Sequence, residues 1–110
     1  MTTTARQILD RAMTERQWMD TVLAQAAVTG WEFYHPWNSM HSVKGWPDLV
    51  LCRPPRLIFA ELKRESGGKV SAEQQGWLDL LRECGAETYV WKPSDWPTVE
   101  KVLARTGLGL

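Results

Sequence analysis

The chain has 110 residues, 13 Lys+Arg against 13 Asp+Glu, and 44% hydrophobic residues, which sets the expectation of one compact domain with a layered core. That balance excludes a disordered chain and a protein that coats nucleic acid by net charge alone. Cys52 and Cys84 stand far apart and outside any CxxC spacing, so neither a disulfide framework nor a zinc site is expected, and a reducing cytoplasm fits.

The opening segment, MTTTARQILDRAM, has no apolar signal-like core, and the apolar stretches LVLC and LIFA are far too short to cross a bilayer. A cytoplasmic protein without a membrane partner is the expectation. A short helical turn is expected around residues 4–12. The main first helix is expected at about 15–28, because Trp18, Val22 and Ala26 recur at helical spacing and Thr14 with Gln17 forms a capping-box pattern. Gly30 ends it at a C-cap-like position. Trp31 to His35 reads as a short aromatic strand, and Pro36 to Gly45 as a loop.

Two apolar runs follow, Leu49 to Cys52 and Leu57 to Leu62, separated by Arg53-Pro54-Pro55-Arg56. The prolines cannot supply ladder hydrogen bonds, so the segment reads as the turn of a hairpin. Both strand faces carry apolar residues, which predicts a place mid-sheet with cover on both sides. Ser71 and Gln74 open a second capped helix whose apolar side is Trp77, Leu78, Leu80 and Leu81, stopped by Gly85. Thr88 to Trp91 is a strand, and Pro97 fits the first turn of a last helix running to about Arg105. The expected fold is mixed α/β, in the order helix, three strands, helix, strand and a C-terminal helix, as one domain over residues 1–110.

Hairpin register carries the functional argument. If the turn pairs Cys52 with Leu57, antiparallel partners keep a constant index sum, and Asp48 falls opposite Glu61. Their Cβ atoms would then lie about 5 Å apart, a like-charge pair that destabilises a sheet unless a positive group sits between them. Asp is also depleted in strands. Mg²⁺ or Mn²⁺ removes the conflict, because such ions take oxygen ligands and one or two protein carboxylates. Period-2 alternation puts Lys63 on the face of Glu61. Two acids, a divalent ion and an ammonium suit phosphodiester hydrolysis, in which the metal lowers the pKa of a bound water and the lysine orients the nucleophile. The competing reading is an ion-pair cluster in which Lys63 merely neutralises Asp48 and Glu61. Burial of the strands and the local charge both weigh against it: residues 41–70 hold Lys44, Arg53, Arg56, Lys63, Arg64 and Lys69 against Asp48, Glu61 and Glu65.

Gly45-Trp46-Pro47-Asp48-Leu49-Val50, followed by Phe59-Ala60-Glu61-Leu62-Lys63, resembles the PD-(D/E)XK nuclease signature. Ser71-Ala72-Glu73-Gln74 at a helix start is similar to its VRR-NUC branch (virus-type replication-repair nuclease), and the likeness runs from about Thr14 to Leu103. The resemblance implies a restriction-endonuclease-like core. It also implies Asp48 and Glu61 as metal carboxylates, the Leu62 carbonyl as a further ligand, Lys63 as catalytic lysine, Glu15 as the helical acid and Gln74 as the glutamine near the active site. Glu15 in a first helical turn equally complements the helix dipole, and Gln74 equally closes its capping box.

Lys44, Arg53, Arg56, Arg64 and Lys69 are candidates for phosphate contacts, with a solvated charged face as the alternative. Trp37 and Trp46 are candidates for stacking on an unpaired base, although such residues more often pack a loop. His35 and His41 could touch a phosphate, yet an ordinary hydrogen-bonded histidine is the better reading. Acting on two strands requires two copies of so small a domain, so a homodimer is expected. Stand-alone domains of the resembled branch, often from phages or bacteria, cut branched DNA such as Holliday junctions as dimers. The resulting expectation is a Mg²⁺- or Mn²⁺-dependent, structure-selective DNA endonuclease. The alternatives are a non-cleaving nucleic-acid-binding module with the same fold and a protein-interaction subunit using its Trp surface.

Overall fold

Three of the four α-helices among the described residues open with the same reciprocal cap. In the computed structural model, which describes residues 2–36 and 43–105, α1 (Ala5–Ala12), α2 (Glu15–Val28) and α3 (Ala72–Glu83) start at Thr4, Thr14 and Ser71. Each cap hydroxyl accepts the N–H of a glutamine three residues on, and that glutamine's side-chain oxygen accepts the cap residue's N–H. Two otherwise orphaned donors are satisfied at each start. Trp18, Val22 and Ala26 form the buried stripe of α2.

Strands β1 (Glu32–Tyr34), β2 (Leu49–Arg53), β3 (Arg56–Leu62) and β4 (Glu87–Trp91) form one sheet in the order β1-β2-β3-β4. The first three pair antiparallel, and β4 runs parallel to β3, with α3 supplying the crossover that a parallel neighbour requires. A 3₁₀ turn, Pro93–Asp95, leads into α4 (Trp96–Leu103). The hairpin adopts the expected register, Val50 with Phe59 and Cys52 with Leu57, and continues one pair further to Arg53 and Arg56. The turn is therefore Pro54-Pro55 alone, two residues whose missing N–H groups no ladder needs.

On one sheet face, Leu49, Leu51, Ile58, Ala60, Leu62 and Trp91 pack with α2 and α4 in the main core. On the other, Phe59 meets Trp46, which in turn meets Trp77 of α3, both edge-to-face at 5.6 and 4.9 Å. Residues 58–62 are consecutively buried, as a strand covered on both sides should be.

The structure gives Arg53 and Arg56 work other than the expected phosphate contacts. They sit at the turn end of the hairpin, about 15 Å of strand away from Asp48 and Glu61. Arg53 donates to the carbonyls of Thr29, Leu103 and Ala104, and Arg56 to that of Val102. Both guanidinium groups lie over the Trp31 ring, at 4.4 and 5.0 Å, while Trp31 Nε1 donates to Leu103 O. The last carbonyls of α4 are thereby satisfied by cations at its negative end. Arg56 also grips Glu87 through two bonds of 2.7 and 2.8 Å, which holds the Glu87 carboxyl below its usual range.

A lowered carboxylate contributes stability that is present above its ordinary pKa and is lost as acidification passes the lowered one. Glu87→Gln is expected to cost about 1–2 kcal/mol at pH 7 by urea denaturation and to lose that deficit below about pH 4. A deficit that persists undiminished in acid would contradict the ion-pair account.

Candidate active site

The motif Gly45-Trp46-Pro47-Asp48 is held in place by a close approach. Gly45 has φ +85°, and a Cβ there would meet the backbone carbonyl carbon of Glu73 at 2.6 Å, so only glycine lets this loop lie on the first turn of α3. Trp46 then wedges between Phe59 and Trp77, Pro47 is buried, and Asp48 arrives one residue ahead of β2. Trp46 thus packs the loop onto the core.

Asp48 Oδ2 accepts the N–H of Leu62 at 2.8 Å. The last ladder pair is Leu49 with Ala60, and Asp48 extends the pairing with its side chain where the backbone bends away. Its neighbour across the hairpin, Glu61, is 0% exposed. Neither Glu61 oxygen has a hydrogen-bond donor. Burial, then the hydrogen bond and charge of Asp48, push the Glu61 carboxyl up to about 9, with Lys63 opposing and Glu15 adding a little. Two ionised carboxylates are acceptors only and repel; a proton on Glu61 turns the same contact into an O–H···O bond with Asp48.

Lys63 Nζ donates to Gln74 Oε1 at 3.0 Å, and that oxygen also accepts the Ser71 N–H at 2.8 Å. One amide carbonyl therefore closes the α3 cap and holds the lysine, so the two readings of Gln74 describe a single arrangement. Gly68 lies against the base of this side chain, where a Cβ would come within 2.9 Å of Lys63 Cβ.

A cleft of about 590 Å³ opens beside Asp48, lined by Glu15, Arg16, Met19, Asp20, His35, Pro36, Asp48 and Leu62, with Glu61, Lys63 and Gln74 outside its lining. Glu15, from the first turn of α2, shares this cleft with Asp48. Among the described residues, however, no three His, Cys, Asp or Glu side chains are gathered around one metal position. Asp48 and Glu61 come together, and Glu15 lines the cleft with Asp48. Arg16 and Asp20 also reach the cleft, signalled in the sequence only by sharing a helix with Glu15, and so does His35, which directly follows β1 and could touch a phosphate.

A divalent cation fits this donor set. A buried carboxylate with two unpartnered oxygens beside a second carboxylate has an excess of hard oxygen acceptors, and among the described residues no cation forms a salt bridge with either acid. Lys44, Arg64 and Lys69 are exposed, and Lys44 pairs with Glu73 at 3.6 Å. Trp37 and His41 lie outside the described residues.

The VRR-NUC domain model matches residues 14–95. The chain belongs to the VRR-NUC family. A solved VRR_NUC domain is similar to it with a TM-score of 0.66 and 22% identity, over 84% of this chain and 96% of that one. No curated protein matches the sequence. Membership places the chain in the PD-(D/E)XK superfamily, with a nuclease-type fold and DNA as the substrate class, in a family that generally uses divalent metals. Residues 2–13, including α1, precede the matched region. Among the described residues, no helix is long and apolar enough to cross a membrane.

Between the ordinary carboxyl value of 4.5 and the raised value of about 9, the folded chain holds a proton on Glu61 that the unfolded chain releases, so stability falls as pH rises through that window. Glu61→Gln removes this dependence. At pH 8 without metal it is expected to raise Tm by about 4–8 °C, the equivalent of roughly 1 kcal/mol. Equal or lower Tm in the variant under calorimetry would contradict an uncompensated buried carboxylate.

Proposed function

We propose that this VRR-NUC protein is a Mg²⁺- or Mn²⁺-dependent DNA endonuclease that selects branched structures and acts as a homodimer. The observation that carries the reading is the fully buried Glu61 carboxylate, without a donor for either oxygen, facing Asp48. A structural ion pair supplies its own cation, and among the described residues this pair of acids has none in salt-bridge contact. Asp48, Glu61 and the Leu62 carbonyl would hold the metal, and Glu15 would assist from across the cleft. The metal, when bound, supplies an activated water and charge stabilisation at the scissile phosphate.

The chain's own residues do the rest. Asp48 is aimed by the Leu62 N–H, so its free acceptor capacity faces the cleft side of the hairpin. Lys63, positioned by Gln74 Oε1, presents an ammonium to the attacking water or to a non-bridging phosphate oxygen, where developing negative charge strengthens the contact. Gln74 keeps that ammonium from collapsing onto Glu61. Arg64, Lys69 and Lys44 stand on the surface as sequence-independent phosphate contacts. Two strands of a junction need two such sites, which one domain of this size does not offer.

The test incubates the protein with linear, flapped and four-way DNA in Mg²⁺, Mn²⁺ and EDTA. Cleavage of branched DNA in either metal and none in EDTA is expected, with a loss of at least about 100-fold in kcat for Lys63→Ala and for Glu61→Gln. Light scattering should give twice the monomer mass. Metal-independent cutting, or full activity in Glu61→Gln, would contradict the catalytic reading; a monomer would contradict the paired incision.

A further inference from the structure

The acid pair is not the only like-charge pair facing across this sheet. Strands β3 and β4 run parallel, with Glu61 paired to Val90 and Leu62 to Trp91. The register continues past the last ladder pair, because Lys63 N–H donates to Trp91 O at 3.0 Å and Lys92 keeps extended backbone, with φ −113° and ψ 162°. The next partners are therefore Lys63 and Lys92. Alternation puts Lys92 on the same face as Val90, which is the face of Glu61 and Lys63. Adjacent parallel strands place the two lysine Cβ atoms about 5 Å apart.

One crosslink keeps these segments together beyond the sheet: Ser94 N–H donates to Glu65 Oε1 at 2.9 Å, while within the turn after β4 Lys92 N–H donates to Asp95 Oδ2 at 2.9 Å. The residues two positions after each lysine are thus tied to one another. Among the described residues Lys63 and Lys92 form no salt bridge within 4 Å, and Lys63 has only the neutral Gln74 amide. Opposed ammonium groups on a sheet destabilise it as opposed carboxylates do, unless an ion of the other sign lies between or above them. Across three strands the same end of the sheet reads acid, acid, ammonium, ammonium.

The geometry points to Lys92 as a substrate-positioning residue that binds a backbone phosphate of DNA next to the scissile one. This assignment rests on the nuclease reading of the same site. Lys63 serves the reacting phosphate, and Lys92, one strand further from the metal carboxylates, holds the neighbouring phosphodiester and sets the strand's path over β4. No sequence information is read by such a contact.

Because it concerns binding, the inference can be tested separately from cleavage. In the Glu61→Gln background, which is not expected to cut, the affinity for four-way DNA is measured by fluorescence anisotropy over a range of salt concentrations, with and without Lys92→Gln. Lys92→Gln should weaken binding about five- to twentyfold at low salt and reduce the slope of log K against log salt by about one. In the otherwise unaltered enzyme it should raise KM by a similar factor and leave kcat within about twofold, while Lys92→Arg retains most of the affinity. Unchanged affinity and salt slope would overturn the assignment, as would a loss confined to kcat. Circular dichroism melting of Lys92→Gln checks the fold, and if this variant melts early, Lys92→Arg paired with Lys92→Met gives the same comparison at matched side-chain length. Absence of cleavage by the unaltered protein would refute the nuclease reading while leaving the salt-slope result to judge Lys92.

Discussion

The structure turns on a carboxylate placed where a carboxylate should not be. Glu61 has no exposed surface and no hydrogen-bond donor, and it faces a second acid. Without a compensating positive charge, its ionised form is disfavoured by desolvation and by Asp48 alike. Such strain persists in a fold when the surrounding elements over-determine the position and when a ligand relieves it. A hard cation is the ligand class that would relieve it, and under the proposed function the same cation would activate water for phosphodiester hydrolysis.

The surrounding elements hold that position by independent means. Gly45 lets the Trp46-Pro47-Asp48 segment lie on α3, and Trp46 locks it against Phe59 and Trp77. The Leu62 N–H fixes Asp48, and the cap of α3 fixes Lys63 through Gln74. At the opposite end of the hairpin, Arg53, Arg56 and Trp31 close the carboxyl end of α4. The positive residues around the hairpin therefore divide by position: Arg53 and Arg56 at the turn hold α4, and Lys63 at the other end is held by Gln74 beside the acid pair.

Much of this was legible in the sequence because the relevant physics is local. The capping boxes at Thr14 and Ser71 depend on residues three apart, and the hairpin register depends on a two-proline turn with apolar runs of definite length. Constant index sum was enough to bring residue 48 to residue 61. What stayed hidden is tertiary. Arg53 and Arg56 look like any surface cations until α4 is folded against them, and nothing near them in sequence marks Val102 to Ala104 as their acceptors. Glu15 was placed on the right helix, but its place in the cleft with Asp48 is set by how α2 crosses the sheet, which periodicity does not encode. Parallel pairing of β4 with β3 is a choice of topology, and without it Lys92 reads as a solvated residue before a proline.

The central claim is that the Glu61 and Asp48 carboxylates share a divalent ion. The most direct measurement is anomalous scattering from a crystal of the protein soaked in Mn²⁺. The account predicts a peak within about 2.0–2.3 Å of oxygens from Asp48, Glu61 and the Leu62 carbonyl, absent in Glu61→Gln. A Mn²⁺-soaked crystal with no density between those carboxylates, and with Glu61 still buried and hydrogen-bonded to Asp48 through a proton, would contradict it.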